Sequence, residues 1–172
     1  MGYLNPVEIH GAERFAREAV AAGVDGVLLV DLPPEEAEEA RAVFNREGLA
    51  LIALASPTTS PERLQMLCET AQGYLYYVSF AGVTGADRLD IGGAGERLQH
   101  LRTMAAIPVY AGFGIRDAQS ASSMAAHADG VVVGSALVAA LDGSVDEAEA
   151  ARRAGDFLRP LRQALDGLSV AA

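Results

Sequence analysis

The sequence is short of four things, and each shortage closes off a class of protein. It holds one cysteine, Cys68, no tryptophan, three histidines far apart (His10, His100 and His127), and 13 Lys+Arg against 23 Asp+Glu. A lone cysteine builds no internal disulfide framework, and no Cys/His spacing resembles a metal site, so none is expected. The formal net charge of −10 removes a simple nucleic-acid or anionic-membrane partner. There is no run of 18 apolar residues and no basic segment ahead of an apolar one, which makes a cytoplasmic protein the expectation. What is present is a hydrophobic fraction of 51% beside 21% charged residues over 172 positions. That is enough apolar surface to fill one core, so residues 1–172 are expected to form a single domain.

Apolar runs rich in β-branched and aromatic residues recur at Val27–Val30, Leu51–Leu54, Leu75–Val78, Pro108–Ala111 and Val131–Val133, each of the form of a buried strand. They begin at 27, 51, 75, 108 and 131, giving spacings of 24, 24, 33 and 23 residues, the size of a βα unit. Between them the period turns helical, as in Leu64, Leu67, Cys68 and Ala71. Helices are expected over 12–22 with Gly23 as the stop, over Pro34–Glu47 ended by Gly48, and from Pro61 behind an N-cap at Ser60. A further helix over 146–165 contains Pro160.

Strands alternating with helices mean a parallel sheet covered on its faces, either doubly wound or closed into a barrel. A dinucleotide-binding sheet needs Gly-x-Gly-x-x-Gly after its first strand, whereas Val30 is followed by Asp31-Leu32-Pro33-Pro34. A phosphate-binding (β/α)₈ barrel keeps its anion site after its last two strands. Here the late strands are followed by Gly112-Phe113-Gly114 and by Gly134-Ser135, which opens the short helix 136–141. These offer close backbone approach, free N–H groups and a hydroxyl, all suited to a phosphate dianion. The fold class expected is therefore α/β, of the (β/α)₈ TIM barrel family. Eight units take roughly 250 residues, so five strands and the stub Met1–Asn5 amount to an incomplete barrel of five to six βα units. It corresponds to the C-terminal two-thirds of a phosphate-binding barrel, with about three units missing at the N-terminus. Open strand edges would then favour self-association or marginal stability.

The 33-residue spacing puts extra residues into Phe80–Gly95, where five glycines suggest a functional lid or a solvated insertion. Tyr74 and Tyr76 share one face of the strand before it, and Tyr76 either reaches a substrate or is a core tyrosine. Asp31, at the end of its strand, is either a working residue or the N-cap of the helix that follows. The histidines read as surface residues and Cys68 as packing.

Several stretches together resemble the tryptophan synthase alpha chain family: Met1-Gly-Tyr-Leu-Asn-Pro6, Ala22-Gly-Val-Asp-Gly26, Val30-Asp-Leu-Pro-Pro-Glu-Glu36, Tyr76-Tyr-Val-Ser79, Gly82-Val-Thr-Gly85, Gly112-Phe-Gly-Ile115 and Asp129-Gly-Val-Val-Val-Gly-Ser135. The resemblance implies a (β/α)₈ barrel of tryptophan biosynthesis that cleaves indole-3-glycerol phosphate to indole and glyceraldehyde 3-phosphate, a retro-aldol reaction needing neither metal nor organic cofactor. Indole then passes to a pyridoxal phosphate-dependent beta chain in an alpha2beta2 assembly. It assigns Gly85, Gly114, Gly134 and Ser135 to the substrate phosphate and Phe113 to the pocket lining. Tyr76 matches an active-site tyrosine and Thr84 a lid threonine, with Asp31 near the pocket. Tyr3, Asn5, Pro33 and Pro34 would lie at or near the beta chain.

The resemblance also implies that the family's two catalytic carboxylates lie upstream of the segment Met1 begins. The chain alone is thus expected to have low or no lyase activity. Two alternatives stand beside this reading: a non-catalytic module that binds phosphate or a beta chain, and another phosphate-binding barrel enzyme of aromatic amino-acid synthesis.

Overall fold

The computed structural model of the chain describes residues 1–78, 91–112 and 114–169, and the side chains of these except at 91–94 and 169. The chain divides into two compact units, Met1–Tyr76 with Thr103–Pro108, and Tyr77–Arg102 with Val109–Ala172.

The first unit holds α1 (Leu4–His10), α2 (Ala12–Ala21), β1 (Gly26–Val27), a 3₁₀ turn (Pro34–Glu36), α3 (Glu38–Glu47), β2 (Ala50–Leu51), β3 (Ala53–Ala55), α4 (Pro61–Thr70) and the first half of β4 (Leu75–Val78). β1 and β2 pair in parallel, Gly26 opposite Ala50 and Val27 opposite Leu51. The chain start adds a parallel bridge between Gly2 and Leu29, with the Gly2 amide on the Leu28 carbonyl at 2.9 Å and the Val30 amide on the Gly2 carbonyl at 3.1 Å. The expected stub is thus a strand only around Gly2, and Asn5 already lies in α1.

Two helices of this unit end in the same way, at the glycines expected to stop them. After α3, Gly48 adopts φ +83°, its amide bonds to the Asn45 carbonyl at 3.1 Å, and the Leu49 amide reaches back to Phe44 at 3.0 Å. After α2, Gly23 adopts φ +85°, with the Gly23 amide on Val20 at 2.9 Å and the Val24 amide on Ala19 at 3.0 Å. Both are Schellman closures, in which a left-handed residue lets the last turn satisfy its own carbonyls before the chain enters the next strand. At α3 the closure also places Phe44 and Leu49, both at 0% exposure, in one core with Val27, Leu29, Val43 and Leu51. Phe15 of α2 meets Phe44 there with ring centroids 6.1 Å apart. The Pro34–Glu47 helix is in fact a 3₁₀ turn followed by α3, and α4 starts as expected, the Ser60 hydroxyl accepting from the Arg63 amide at 3.4 Å.

The second unit holds the rest of β4, α5 (Ile91–Met104) up to Arg102, β5 (Val109–Gly112), α6 (Ala118–Ala125), β6 (Gly130–Val132), α7 (Ser135–Leu141) and α8 (Glu147–Ser169). Its strands lie in the order β4-β5-β6, and β5 and β6 pair in parallel with Tyr110 opposite Gly130. Its buried residues include Leu98, Leu101, Val109, Ala111, Met124 and Leu161. α6 opens with a capping box, the Asp117 carboxylate accepting from the Ser120 amide at 2.7 Å while the Ser120 hydroxyl accepts from the Asp117 amide at 3.1 Å.

Two expectations need correction here. Gly92, Gly93 and Gly95 were expected in a loop, but they lie in α5. Gly95 is there for contact: a Cβ on it would sit 3.0 Å from Nδ1 of His127. His127 is correspondingly half-buried rather than a surface residue, its Nδ1 enclosed and without a hydrogen-bond partner among the described residues. His10 is on the surface as expected, bonded to Glu18 at 2.7 Å. No helix among the described residues is long and apolar enough to cross a membrane.

Candidate functional site

Each half of the expected site rests on a strand end. In the second unit, β5 leads to Gly114, which is exposed and has φ +68°, a conformation that only glycine holds without strain. β6 leads to Gly134, the N-cap of α7, and to Ser135, its first residue, both exposed. The first amides of α7 have no carbonyl one turn earlier to bond, while the Leu137 and Val138 amides close on the Gly134 carbonyl at 2.9 and 3.1 Å. The site residues Phe113, Thr84 and Gly85 lie outside the described residues, as does the Gly82-Val-Thr-Gly85 motif.

What aims β6 is Asp129, a residue to which the motif reading assigned no role. Its Oδ2 accepts from the Val109 amide at 2.9 Å, its amide donates to the Val109 carbonyl at 2.9 Å, and its Oδ1 meets Arg102 at 2.7 Å. One carboxylate thereby locks the starts of β5 and β6 and an end of α5. Gly130 follows because the Tyr110 ring lies over it, leaving 2.7 Å to a Cβ. The same Asp-Gly-Val triplet begins β1: the Asp25 carbonyl accepts from the Ala50 amide at 3.0 Å, and a Cβ on Gly26 would sit 2.9 Å from Ile52 Cδ1. The signal was legible as an internal repeat, Asp25-Gly-Val27 and Asp129-Gly-Val131.

In the first unit Tyr76 lies on β4, 8% exposed, and burial pushes its phenol pKa up, with Tyr74 adding to the effect. Its neighbour Tyr77 points to the other face, where its hydroxyl is buried without a partner among the described residues. A phenol whose folded-state pKa is raised contributes stability below its unfolded pKa of about 10 and loses it as pH climbs through the folded value. Tyr76→Phe is therefore expected to flatten the alkaline loss of stability above pH ~10, as read by melting temperature against pH for the two proteins. Identical alkaline slopes would place the phenol in water.

Asp31 is exposed, and its Oδ1 accepts from the Leu4 amide at 2.8 Å. It does not cap the helix that follows, whose first turn has Pro33 at the N-cap and no side-chain cap. The carboxylate sits instead at the start of α1, where the helix dipole favours negative charge. This bond brings the Tyr3–Asn5 segment beside the Asp31–Pro34 turn. Tyr3 is 64% exposed, Asn5 is exposed, and Pro33 and Pro34 are half-buried. Among the described residues no group of three or more His, Cys, Asp or Glu could hold a metal ion.

Compared with known proteins, residues 1–165 match the family model described as tryptophan synthase alpha chain. The chain is 71% identical over 167 residues to the tryptophan synthase alpha chain of Xanthomonas campestris pv. campestris, covering 96% of this chain and 61% of that protein. Among solved structures it is similar to the alpha chain from Legionella pneumophila, at 42% identity and a TM-score of 0.81, over 96% of this chain and 61% of that one. It is also similar to a chain of the tryptophan synthase a2b2 complex from Pyrococcus furiosus, at 36% identity and a TM-score of 0.78, over 94% and 64%. The chain thus spans about three-fifths of the length of the curated relatives it matches. The expected fold class stands: α/β with parallel strands, in the barrel family of these neighbours and over part of it.

Proposed function

This chain belongs to the tryptophan synthase alpha chain family, a lyase family of tryptophan biosynthesis, and from that premise we propose that it carries the phosphate-binding and partner-binding parts of an alpha chain. The substrate is indole-3-glycerol phosphate, cleaved by the whole protein to indole and glyceraldehyde 3-phosphate. The observation that carries this reading is the family-model match over residues 1–165, together with 71% identity over 167 residues to a curated alpha chain.

In this reading Gly85, Gly114, Gly134 and Ser135 hold the phosphate. The exposed Gly114 at φ +68° and the open first turn of α7 support it, since both present backbone N–H groups with no side chain in the way. Tyr76 is the active-site tyrosine, Phe113 belongs to the pocket lining, Thr84 belongs to the lid, and Asp31 lies near the pocket. Tyr3, Asn5, Pro33 and Pro34 face a beta chain, which alone carries pyridoxal phosphate. The bond from Asp31 to the Leu4 amide supports treating them as one patch. The place of action is the cytoplasm.

Calorimetric titration with glycerol 3-phosphate, which carries the phosphate end of the substrate, tests the cradle. Ser135→Ala is expected to weaken binding about tenfold or more, the loss of one hydrogen bond to a charged group. No binding by the parent chain at millimolar ligand, or equal binding by the variant, would remove Ser135 from the site. Titrating the chain into a purified beta chain while following tryptophan formation tests the patch, and no change in that rate would sink it.

A further inference from the structure

We propose that a cavity in the first unit, between α3, α4 and the strand ends beside them, binds a small organic carboxylate on Arg41. The cavity has a volume of about 260 Å³ and is lined by apolar side chains together with Arg41, Arg63, Ser56, Thr59 and Asp31.

A census of those polar groups leaves one unmet. Arg63 is bonded to Glu35 at 2.8 Å, and Asp31 accepts from the Leu4 amide at 2.8 Å. The Thr59 hydroxyl accepts from the Ser56 amide at 2.9 Å and lies 3.3 Å from the Ser56 hydroxyl, which is itself 2.9 Å from that of Thr58. Arg41 stands apart: among the described residues its Nε is enclosed without a hydrogen-bond partner and no carboxylate lies within ion-pairing distance. Arg41 as a whole is half-buried, so the remaining N–H groups of its guanidinium are open to a ligand, and an unpaired guanidinium lining a cavity is suited to an anion from outside the chain.

The chemistry of the acceptor follows from the walls. A guanidinium presents a planar fork that matches a carboxylate in two parallel bonds. The apolar part of this mixed lining favours a ligand with an apolar body over a bare hydrated ion. Single charge is favoured over double, because Arg63 is already neutralised by Glu35 and the Asp31 carboxylate shares the cavity. Benzoate has the required size and charge, and benzamide is its neutral counterpart. The site shares Asp31, Pro33 and Pro34 with residues placed near the pocket and the beta chain but borrows nothing from the glycine cradle, so a failure of phosphate binding there and a failure of carboxylate binding here are separate results.

The test is a titration of the ¹⁵N-labelled chain with benzoate, following arginine Nε–H signals assigned by through-bond correlation. The Arg41 signal is expected to move and saturate at low millimolar benzoate and to stay still with benzamide. Arg41→Lys, which lacks the fork, should weaken benzoate binding at least tenfold by calorimetry. Should that variant fail to fold, the signal in the parent chain decides alone. An Arg41 signal that does not move at tens of millimolar benzoate overturns the proposal. So does one that responds equally to benzamide or to inorganic phosphate.

Discussion

Phe44→Ala is expected to destabilise the chain by about 3–5 kcal/mol, the range for truncating a fully buried phenylalanine. Phe44 is at 0% exposure, and three features converge on it. Its carbonyl receives the Leu49 amide in the closure of α3, its ring meets Phe15 of α2, and its side chain fills the core that β1 and β2 share. Removing the ring leaves a cavity that the Gly48 turn cannot collapse, because the backbone on either side is held by hydrogen bonds. A domain of ordinary stability has about 5–15 kcal/mol in total, so the first unit should melt tens of degrees lower or fail to accumulate. Phe44→Leu keeps most of the volume and should cost about 1.5 kcal/mol or less. Urea midpoints of the three proteins check this, and a Phe44→Ala cost below about 1 kcal/mol would mean that the site collapses freely around the loss.

The second large effect concerns rate. Retro-aldol cleavage needs an acid that protonates the indole carbon and a base that takes the hydroxyl proton. General acid–base groups contribute about 10²–10⁴-fold each. If the family's carboxylate pair lies outside these residues, as the resemblance implies, the 172-residue chain should release indole at least ~10³-fold more slowly than the Xanthomonas campestris relative at saturating substrate. Asp31 holds the Leu4 amide through Oδ1, a bond an asparagine oxygen accepts equally well, so Asp31→Asn should leave the residual rate unchanged. Indole release near the rate of the relative would show that carboxylates within this chain do the work. A fall in that rate in Asp31→Asn would then name one of them.

Much of this architecture was readable from residue order, for identifiable reasons. Helix stops were legible because only glycine closes a helix at positive φ without strain, and Gly23 and Gly48 stand where the apolar period ends. Strands were legible as β-branched runs but not in extent. The run Leu51–Leu54 is recorded as β2 and β3 because Ala50–Leu51 pairs with β1, whereas β3 lies beside β4. Hydrophobicity does not encode such a change of neighbour.

α1 is hidden in the sequence because Pro6 lies within it and it starts only two residues after the bridge at Gly2. The site was legible where backbone chemistry carries it, at Gly114 and at Gly134-Ser135. It was not legible where side chains act across a βα unit: Asp129 was quoted in a motif without a task, and Arg41 lies four residues from the buried Ala37 on a helix that otherwise reads as amphipathic.

Four of the side-chain bonds that hold each unit together span similar lengths. Leu4 to Asp31 spans 27 residues, Leu51 to Gln72 spans 21, Asn45 to Gln72 spans 27, and Val109 to Asp129 spans 20. Each of these four bonds therefore closes on a partner about one βα unit away. On the ribosome, where synthesis runs at about 5–20 residues per second, a newly emerged segment would meet its partner within a few seconds. The chain can thus assemble in the order in which it is made.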